Sequence, residues 1–347
     1  MDSGYYPHPD LTVEADPDLD IASPQTDVIR LRRLLERKPM RLRQYVNITE
    51  GAIRTGLDAA SLWSDAPNSW HGQMTTVLAA GNGQLSDGRY RGLAPEADLL
   101  PIKIGRPNGS IPESEILAGL RWLLQDDNWE RYGVRVLNVS VGGDFPQPWW
   151  ENDVCLAVEE LSRRGVLVTA AAGNSNQKML LAPAQTPAAL TVGGLNDHNR
   201  RWRADRAEDV VRLGLYHHNW GDVHVDSWLI EKPELVAPSV WLPSPFLPVS
   251  PLFRQMWAVG LAWEALQAGD VVQARTVMWR LHSALNVTAA VQTLSAEEMR
   301  RALRFLMNPH KWVHAHYQHV DGTSVAAPLA AATAAQMFQA NPHLNAP

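Results

Sequence analysis

Through the middle of the chain, short runs of apolar residues alternate with longer segments in which the apolar positions recur at helical spacing. "ADLLPIKI" (97–104), "VRVLNVSVGG" (134–143) and "VLVTAAAGN" (166–174) are apolar on both faces. "SEILAGLRWLLQDD" (114–127) and "DVCLAVEELSRRG" (153–165) instead place their apolar residues three and four apart. This rhythm predicts strand, helix, strand, helix, strand: an α/β fold built on a parallel sheet with helices on both faces and right-handed crossovers. "ALTVGG" (189–194) and "ELVAP" (234–238) predict two further buried strands. Several of these runs end in Gly, Asn or Ser, and in open α/β sheets ligands bind at the carboxyl ends of the strands.

Residues 251–313 differ in character. "LFRQMWAVGLAWEALQAG", "DVVQARTVMWRLHSAL" and "SAEEMRRALRFLMN" are helical in period and free of strand signals, so a helical insertion is expected at about 248–313. The last of them opens on a capping-box pattern, in which Ser295 satisfies early amides and Glu298 reaches back.

Composition narrows the function classes. With 347 residues and 45% hydrophobic content, the chain can bury a large core, and it is read as a single domain over 1–347. A net charge of −6 argues against nucleic acid as a partner, because phosphate binding needs clustered positive charge. The lone cysteine, Cys155, cannot form an internal disulfide and leaves the compartment open. No uninterrupted apolar run reaches the roughly 18 residues of a membrane span. The opening "MDSGYYPHPDL" has neither the basic start nor the apolar run of a signal peptide. No membrane partner and no export address are therefore expected.

The chemistry concentrates near the end, in "HVDGTSVAAPLAAATAA" (319–335). Gly322 and Thr323 allow a tight turn, Ser324 stands at a helix start beside the positive end of the helix dipole, and the alanines let that helix pack closely. Pro328 is tolerated near a helix N-terminus but bends a longer one. Taken alone, such a serine is an N-cap; a histidine before glycine and an apolar helix is a packed core residue; a Gly-Asn pair is a strand end; and an aspartate at position 2 is a frayed terminus. What outweighs these readings is their combination.

"DGTSVAAP" resembles the nucleophile motif of the subtilisin-like serine proteases, the subtilases. "DSGYYPHPDL" (2–11) is similar to their aspartate motif, "WHGQMTTVLAAGNG" (70–83) to their histidine motif, "LNVSVGG" (137–143) to their substrate-binding strand and "AAAGN" (170–174) to their oxyanion segment. "GLAPEADLLPIKI" and "KPELVAPS" resemble family scaffold sequence, and the matches follow family order along nearly the whole chain. The resemblance implies a subtilisin-like fold and a serine endopeptidase acting as a monomer on polypeptides through an acyl-enzyme. It assigns Ser324 as nucleophile, His71 as general base and acid, Asp2 as the group orienting His71, and Asn174 with the Ser324 amide as oxyanion donors. Ser140, Val141, Gly142 and Gly143, with Ala170, Ala171 and Gly173, are expected to line the substrate cleft, the first of these stretches pairing with a peptide as an added strand. No organic cofactor is implied.

The sequence also departs from the family. Relatives have a buried apolar strand immediately before the aspartate, whereas only Met1 precedes Asp2 here, and "FQANPHLNAP" stops where a further helix is expected. The expectation is an excerpt truncated at both ends, lacking its first strand, with Asp2 unanchored; loss of this aspartate costs about 3 × 10⁴ in turnover in this family. The rival reading is accordingly a catalytically silent member that binds peptides or partners. An esterase of the α/β-hydrolase type is disfavoured by the absence of a G-x-S-x-G elbow around Ser324. In the histidine motif, Trp70 and Gln73 stand where glycine and threonine are usual. The basic stretch "IRLRRLLERKPMRLR" (29–43) reads as a solvated helix face. Calcium, which many relatives bind, could be held by Glu14, Asp16, Asp18 and Asp20, but no specific metal motif is present there. His314, His316 and His319 lack the partners of a zinc site and are expected on a strand or loop leading into the nucleophile turn.

Overall fold

A computed structural model describes residues 1–5, 8–12, 40–57, 69–196, 214–246, 251–285, 289–308 and 311–346. The acidic stretch holding Glu14, Asp16, Asp18 and Asp20 lies outside the described residues, as does 29–39 of the basic stretch.

The first sheet holds β1 (Val46–Thr49), β2 (Ala52–Thr55) and β3 (Ile102–Lys103), in the order β2-β1-β3, with β1 and β3 parallel. Between β2 and β3 runs helix α1 (Trp70–Ala80). The main sheet follows: β4 (Val136–Val139), β5 (Leu167–Ala171) and β6 (Leu190–Asn196) are joined in parallel. A short β7 (Gly214–Leu215) runs antiparallel to β6. After the hairpin β8 (Gly221–Val225) and β9 (Trp228–Lys232), strand β10 (Leu235–Pro238) completes the order β10-β6-β5-β4. Helices α2 (Glu113–Leu124) and α3 (Asp153–Arg163) make the crossovers around β4.

Both faces of this sheet are covered, and β5 shows how the alternation of side chains achieves it. Val168 and Ala170 point into a core shared with Ile116, Leu120 and Leu123 of α2 and Val154, Val158 and Leu161 of α3. Leu167 and Ala171 belong instead to clusters containing Ala326, Ala327, Ala334 and Phe338, all from the long helix near the end of the chain. Each fully buried Val, Leu or Ile in these layers contributes about 1.5–3 kcal/mol.

Strand β11 (Leu242–Pro245) pairs antiparallel with β13 (Tyr317–Val320), which also pairs with β12 (Trp312–His314). Between these partners the chain makes a helical excursion: α4 (Pro251–Gln267), α5 (Val271–Arg280) and α6 (Ala296–Met307). They bury a core of their own, with Met256, Val259 and Ala262 against Ala274, Met278, Met299 and Leu303. The capping box is present: Ser295 Oγ accepts from the Glu298 amide and the Glu298 carboxylate accepts from the Ser295 amide. The excursion thus leaves and rejoins the frame at one paired ladder, and β13 runs directly into the turn before the last helix, α7 (Thr323–Ala340).

Two strands are shorter than the apolar runs that predict them. In 97–104 the continuous strand is only Ile102 and Lys103, with Leu99 making a separate parallel bridge to Leu42, and in 134–143 the ladder ends at Val139, freeing 140–143 from the sheet. Arg41, at the end of the basic stretch, is buried and not solvated: its guanidinium donates to the carbonyls of Asp10, Ala80 and Ala97.

Candidate active site

Asp2 is firmly held, which corrects the expectation of an unanchored aspartate. Its N–H donates to Ile102 O at 3.0 Å and its carbonyl accepts from Ile104 N–H at 2.9 Å, so it forms a parallel bridge with Lys103. The Met1 nitrogen donates to Asn138 O at 2.7 Å, on the other side. These two residues therefore occupy the gap between β3 and β4, and two residues of bridge suffice to fix the backbone of the aspartate.

The neighbouring helix is brought in by close approach. A Cβ on Gly72 would lie 2.1 Å from Gly4 O, so only glycine lets α1 sit against the loop that follows Asp2. The Gly72 N–H donates to Ser3 Oγ at 3.0 Å and seals the contact. His71 then lies beside the carboxylate, with Nδ1 2.7 Å from Asp2 Oδ1. Asp2 Oδ1 also accepts from the Ser3 N–H at 2.6 Å, and Oδ2 accepts from the Thr75 hydroxyl at 3.2 Å.

Electrostatics follow from this packing. Burial by itself pushes the Asp2 carboxyl up, but the charge and hydrogen bond of His71 and the Ser3 amide overcome it and hold the group below its ordinary value. Burial likewise pulls the His71 imidazole down, and the Asp2 charge and hydrogen bond more than reverse it, leaving the imidazole above its ordinary value. An ionised carboxylate can only accept, so Nδ1 carries the proton and Nε2 is the bare nitrogen.

Ser324 is the second residue of α7. Gly322, at φ 137°, makes the turn that begins the helix, and Ser324 N–H belongs to the first turn, where amides have no helical acceptor. Pro328 sits inside α7 and cannot donate to the carbonyl of Ser324 four residues back. That carbonyl accepts from the Ser140 hydroxyl at 3.3 Å instead, which ties the nucleophile helix to the segment leaving β4. Ser140 Oγ in turn accepts from Asn138 Nδ2 at 2.9 Å.

Asn174 is exposed at the end of the β5 run. Its Oδ1 accepts from both the amide and the hydroxyl of Thr323, at 2.9 and 3.0 Å, which leaves Nδ2 pointing free. Asn174 Nδ2 and Ser324 Oγ lie 3.7 and 3.4 Å from the point where a Gly322 Cβ would stand, so the two groups share one small space. Helices α1 and α7 pack together beside the site through Met74, Leu78 and Val325, joined by Val320 of β13.

The structure thus pairs Asp2 with His71 and clusters Asn174, Thr323 and Ser324. Among the described residues His71 and Ser324 do not hydrogen-bond directly. Val141 and Gly143 are half-buried and Gly142 exposed, with open space around Gly142; the Gly143 N–H donates to Ala182 O. Ala171 and Gly173 are half-buried, whereas Ala170 is 0% exposed in the core between β4 and β6. Sequence reasoning missed Thr75 and Thr323. The signal for Thr75 was available, since it stands four residues after His71 and therefore on the same helix face. Among the described residues no group of three His, Cys, Asp or Glu side chains is arranged to hold a metal ion. His314 lies near Glu264, His316 is buried, and His319 Nδ1 meets the Trp241 carbonyl. No helix among the described residues is long and apolar enough to cross a membrane.

Comparison with known proteins gives a consistent picture. Serine protease AprX of Bacillus subtilis (strain 168) is 32% identical over 176 residues, which cover 49% of this chain and 38% of AprX. Subtilisin Savinase of Lederbergia lenta is 36% identical over 110 residues, covering 32% of this chain and 37% of Savinase. The alignments thus span under two fifths of either relative. Among solved structures, Sphericase matches with a TM-score of 0.53 at 19% identity, over 88% of this chain and 72% of its own. S41 psychrophilic protease matches with a TM-score of 0.53 at 18% identity, over 99% of this chain and 77% of its own. At such identities the likeness is one of fold. The sequence profile of the subtilase family (Peptidase_S8) matches residues 1–347, and the chain belongs to that family.

Proposed function

We propose that this chain is a serine endopeptidase that cleaves peptide bonds through an acyl-enzyme on Ser324. The observation that carries the reading is the 2.7 Å contact of His71 Nδ1 with a buried, fully bonded Asp2 carboxylate, on a helix packed against α7, whose first turn holds Ser324. With Nδ1 protonated and held, Nε2 is the nitrogen available as base.

Ser324 Oγ attacks the peptide carbonyl carbon and its proton passes to His71 Nε2. The new oxyanion receives hydrogen bonds from Asn174 Nδ2 and Ser324 N–H, and the grip of Thr323 on Asn174 Oδ1 aims that amide before substrate arrives. Collapse of the intermediate breaks the C–N bond, and the departing amine takes the proton from His71. Water then repeats the sequence on the ester and releases Ser324. The imidazolium formed in each half is stabilised by Asp2. Catalytic hydrogen bonds are commonly long before substrate binds, so the base and the hydroxyl close on one another in the complex. Val141, Gly142 and Gly143, freed from the sheet beyond Val139, offer main-chain groups to an extended peptide. Ala171 and Gly173, both small, would leave room for a substrate side chain; Ala170 packs behind them.

The test is hydrolysis of a peptide p-nitroanilide by purified chain. Turnover that disappears in Ser324→Ala and His71→Ala supports the reading. A folded wild-type sample that binds peptide without turning it over supports a silent binding module.

A further inference from the structure

The turn that bears Asn174 has no strand partner of its own and contains two left-handed residues, Gly173 at φ 103° and Asn176 at φ 54°. Such a turn holds its shape only if something outside it satisfies its amides. The segment 217–220 does so. Asn219 N–H donates to Gly173 O at 3.1 Å, Asn176 N–H donates to His217 O at 3.0 Å, and Trp220 N–H donates to Gln177 O at 3.1 Å.

At the centre of this seam is one side chain. Asn219 is 6% exposed, and its Oδ1 accepts from the Ser175 N–H at 2.9 Å, the Ser175 hydroxyl at 2.8 Å and the Gln177 N–H at 3.3 Å. Its Nδ2 fills the space above Gly173, where an added Cβ would lie only 2.7 Å away. Thr323 grips the same turn from the other flank, since its hydroxyl accepts from the Gly173 N–H at 3.1 Å. The backbone of Asn174 therefore lies between two clamps, one on the nucleophile helix and one on the segment 217–220.

We propose that Asn219 is a positioning residue of the oxyanion site: its carboxamide oxygen gathers three donors of the 175–177 turn and so fixes the direction in which Asn174 presents Nδ2 beside Ser324. This rests on the reading of Asn174 as the oxyanion donor. Asn219 touches neither substrate nor reacting atoms and acts through Asn174. An aliphatic side chain of similar size would fill the space but supply no acceptor, and the turn would then sample other shapes.

Two measurements on the full chain test this. In hydrogen–deuterium exchange, Asn219→Ala is expected to expose amides 174–177 while strand β5 stays protected. Asn219→Asp, which keeps an acceptor in the same place, is expected to restore the protection. In steady-state hydrolysis of a peptide p-nitroanilide, Asn219→Ala is expected to lower kcat by about 10- to 100-fold, part of the roughly 10²–10³ that loss of an oxyanion donor costs, with KM nearly unchanged. In an Asn174→Ala background the same substitution is expected to cost under about threefold, because the group it positions is gone. Unchanged exchange in Asn219→Ala, or an equal kcat loss in both backgrounds, overturns the assignment. A wild-type chain without turnover, in which Asn219→Ala still loosens 174–177, overturns the catalytic reading while leaving Asn219 as the clamp of this turn.

Discussion

Thr75 donates its hydroxyl to Asp2 Oδ2 from the same helix face that carries His71 to Asp2 Oδ1. One turn of α1 thus engages both oxygens of a single buried carboxylate. Replacing Thr75 with valine keeps the shape and removes the hydroxyl that reaches both Asp2 Oδ2 and the Gly72 carbonyl. The expected result is a loss of about 1–3 kcal/mol in stability, as for other hydrogen bonds to buried charge, with a smaller fall in kcat. Urea unfolding beside steady-state kinetics checks it, and an unchanged midpoint would show that the hydroxyl gives its proton to the Gly72 carbonyl, 3.0 Å away, and not to the carboxylate.

The Asp2–His71 pair sets a pH dependence whose sign is fixed. Catalysis needs the neutral imidazole, and Asp2 holds its pKa above the ordinary 6.5, so the acid limb of kcat/KM should lie above that value. Asp2→Asn should move the limb downward and reduce kcat by about 10⁴. The stability contributed by the raised His71 is present below pH 6.5 and lost as pH rises through the folded value. That of the lowered Asp2 is present above its ordinary 3.8 and lost as pH falls through the folded value. Thermal unfolding against pH should therefore show a wild-type advantage over Asp2→Asn between these limits, shrinking on either side.

Pro328 and Ser140 form a compensating pair. The proline denies the Ser324 carbonyl its helical donor and the Ser140 hydroxyl supplies one. Ser140→Ala should cost about 1–3 kcal/mol and reduce kcat, because the unsatisfied carbonyl belongs to the nucleophile. Adding Pro328→Ala returns an N–H to the helix and should recover part of the stability. Melting temperatures of the two single variants and the double variant decide whether the effects are coupled.

The helical excursion meets the catalytic frame at Gly260. A Cβ there would lie 2.5 Å from Ala315 Cα and 2.6 Å from Ala315 Cβ, between β12 and β13. Gly260→Ala must push α4 away from this hairpin. The expected cost is about 1–3 kcal/mol, typical of overpacking, together with faster proteolytic nicking between 246 and 312. Nicking at the wild-type rate would mean that the contact yields without cost.

Residues whose chemistry is local were legible in the sequence. The turn residues before Ser324, the glycine after His71 and the strand run ending at Asn174 carry their roles within a few positions. The crossovers and both helix faces around β4 and β5 follow from side-chain period alone. What was not legible depends on distant partners. Asp2 is anchored by Ile102 and Ile104, a hundred residues along the chain, and Asn219 reaches back to Ser175 from another strand connection. The strand at 134–143 was overestimated, because an apolar run becomes a strand only as far as a neighbour pairs with it; at 97–104 the pairing is instead split among partners, Leu99 with Leu42, Ile102 and Lys103 with β1, and Lys103 with Asp2. Arg41 looked solvated because its sequence neighbours are charged, yet the carbonyls that surround it come from three other segments.

The most direct test of the central claim is covalent labelling with a fluorophosphonate probe, with the modified residue located by peptide mass spectrometry. Such a probe needs an activated hydroxyl, a working base and an oxyanion site together. The account predicts one adduct, on Ser324, lost in His71→Ala and slowed in Asn174→Ala. A folded wild-type chain that takes no label, or takes it at another residue, would contradict it.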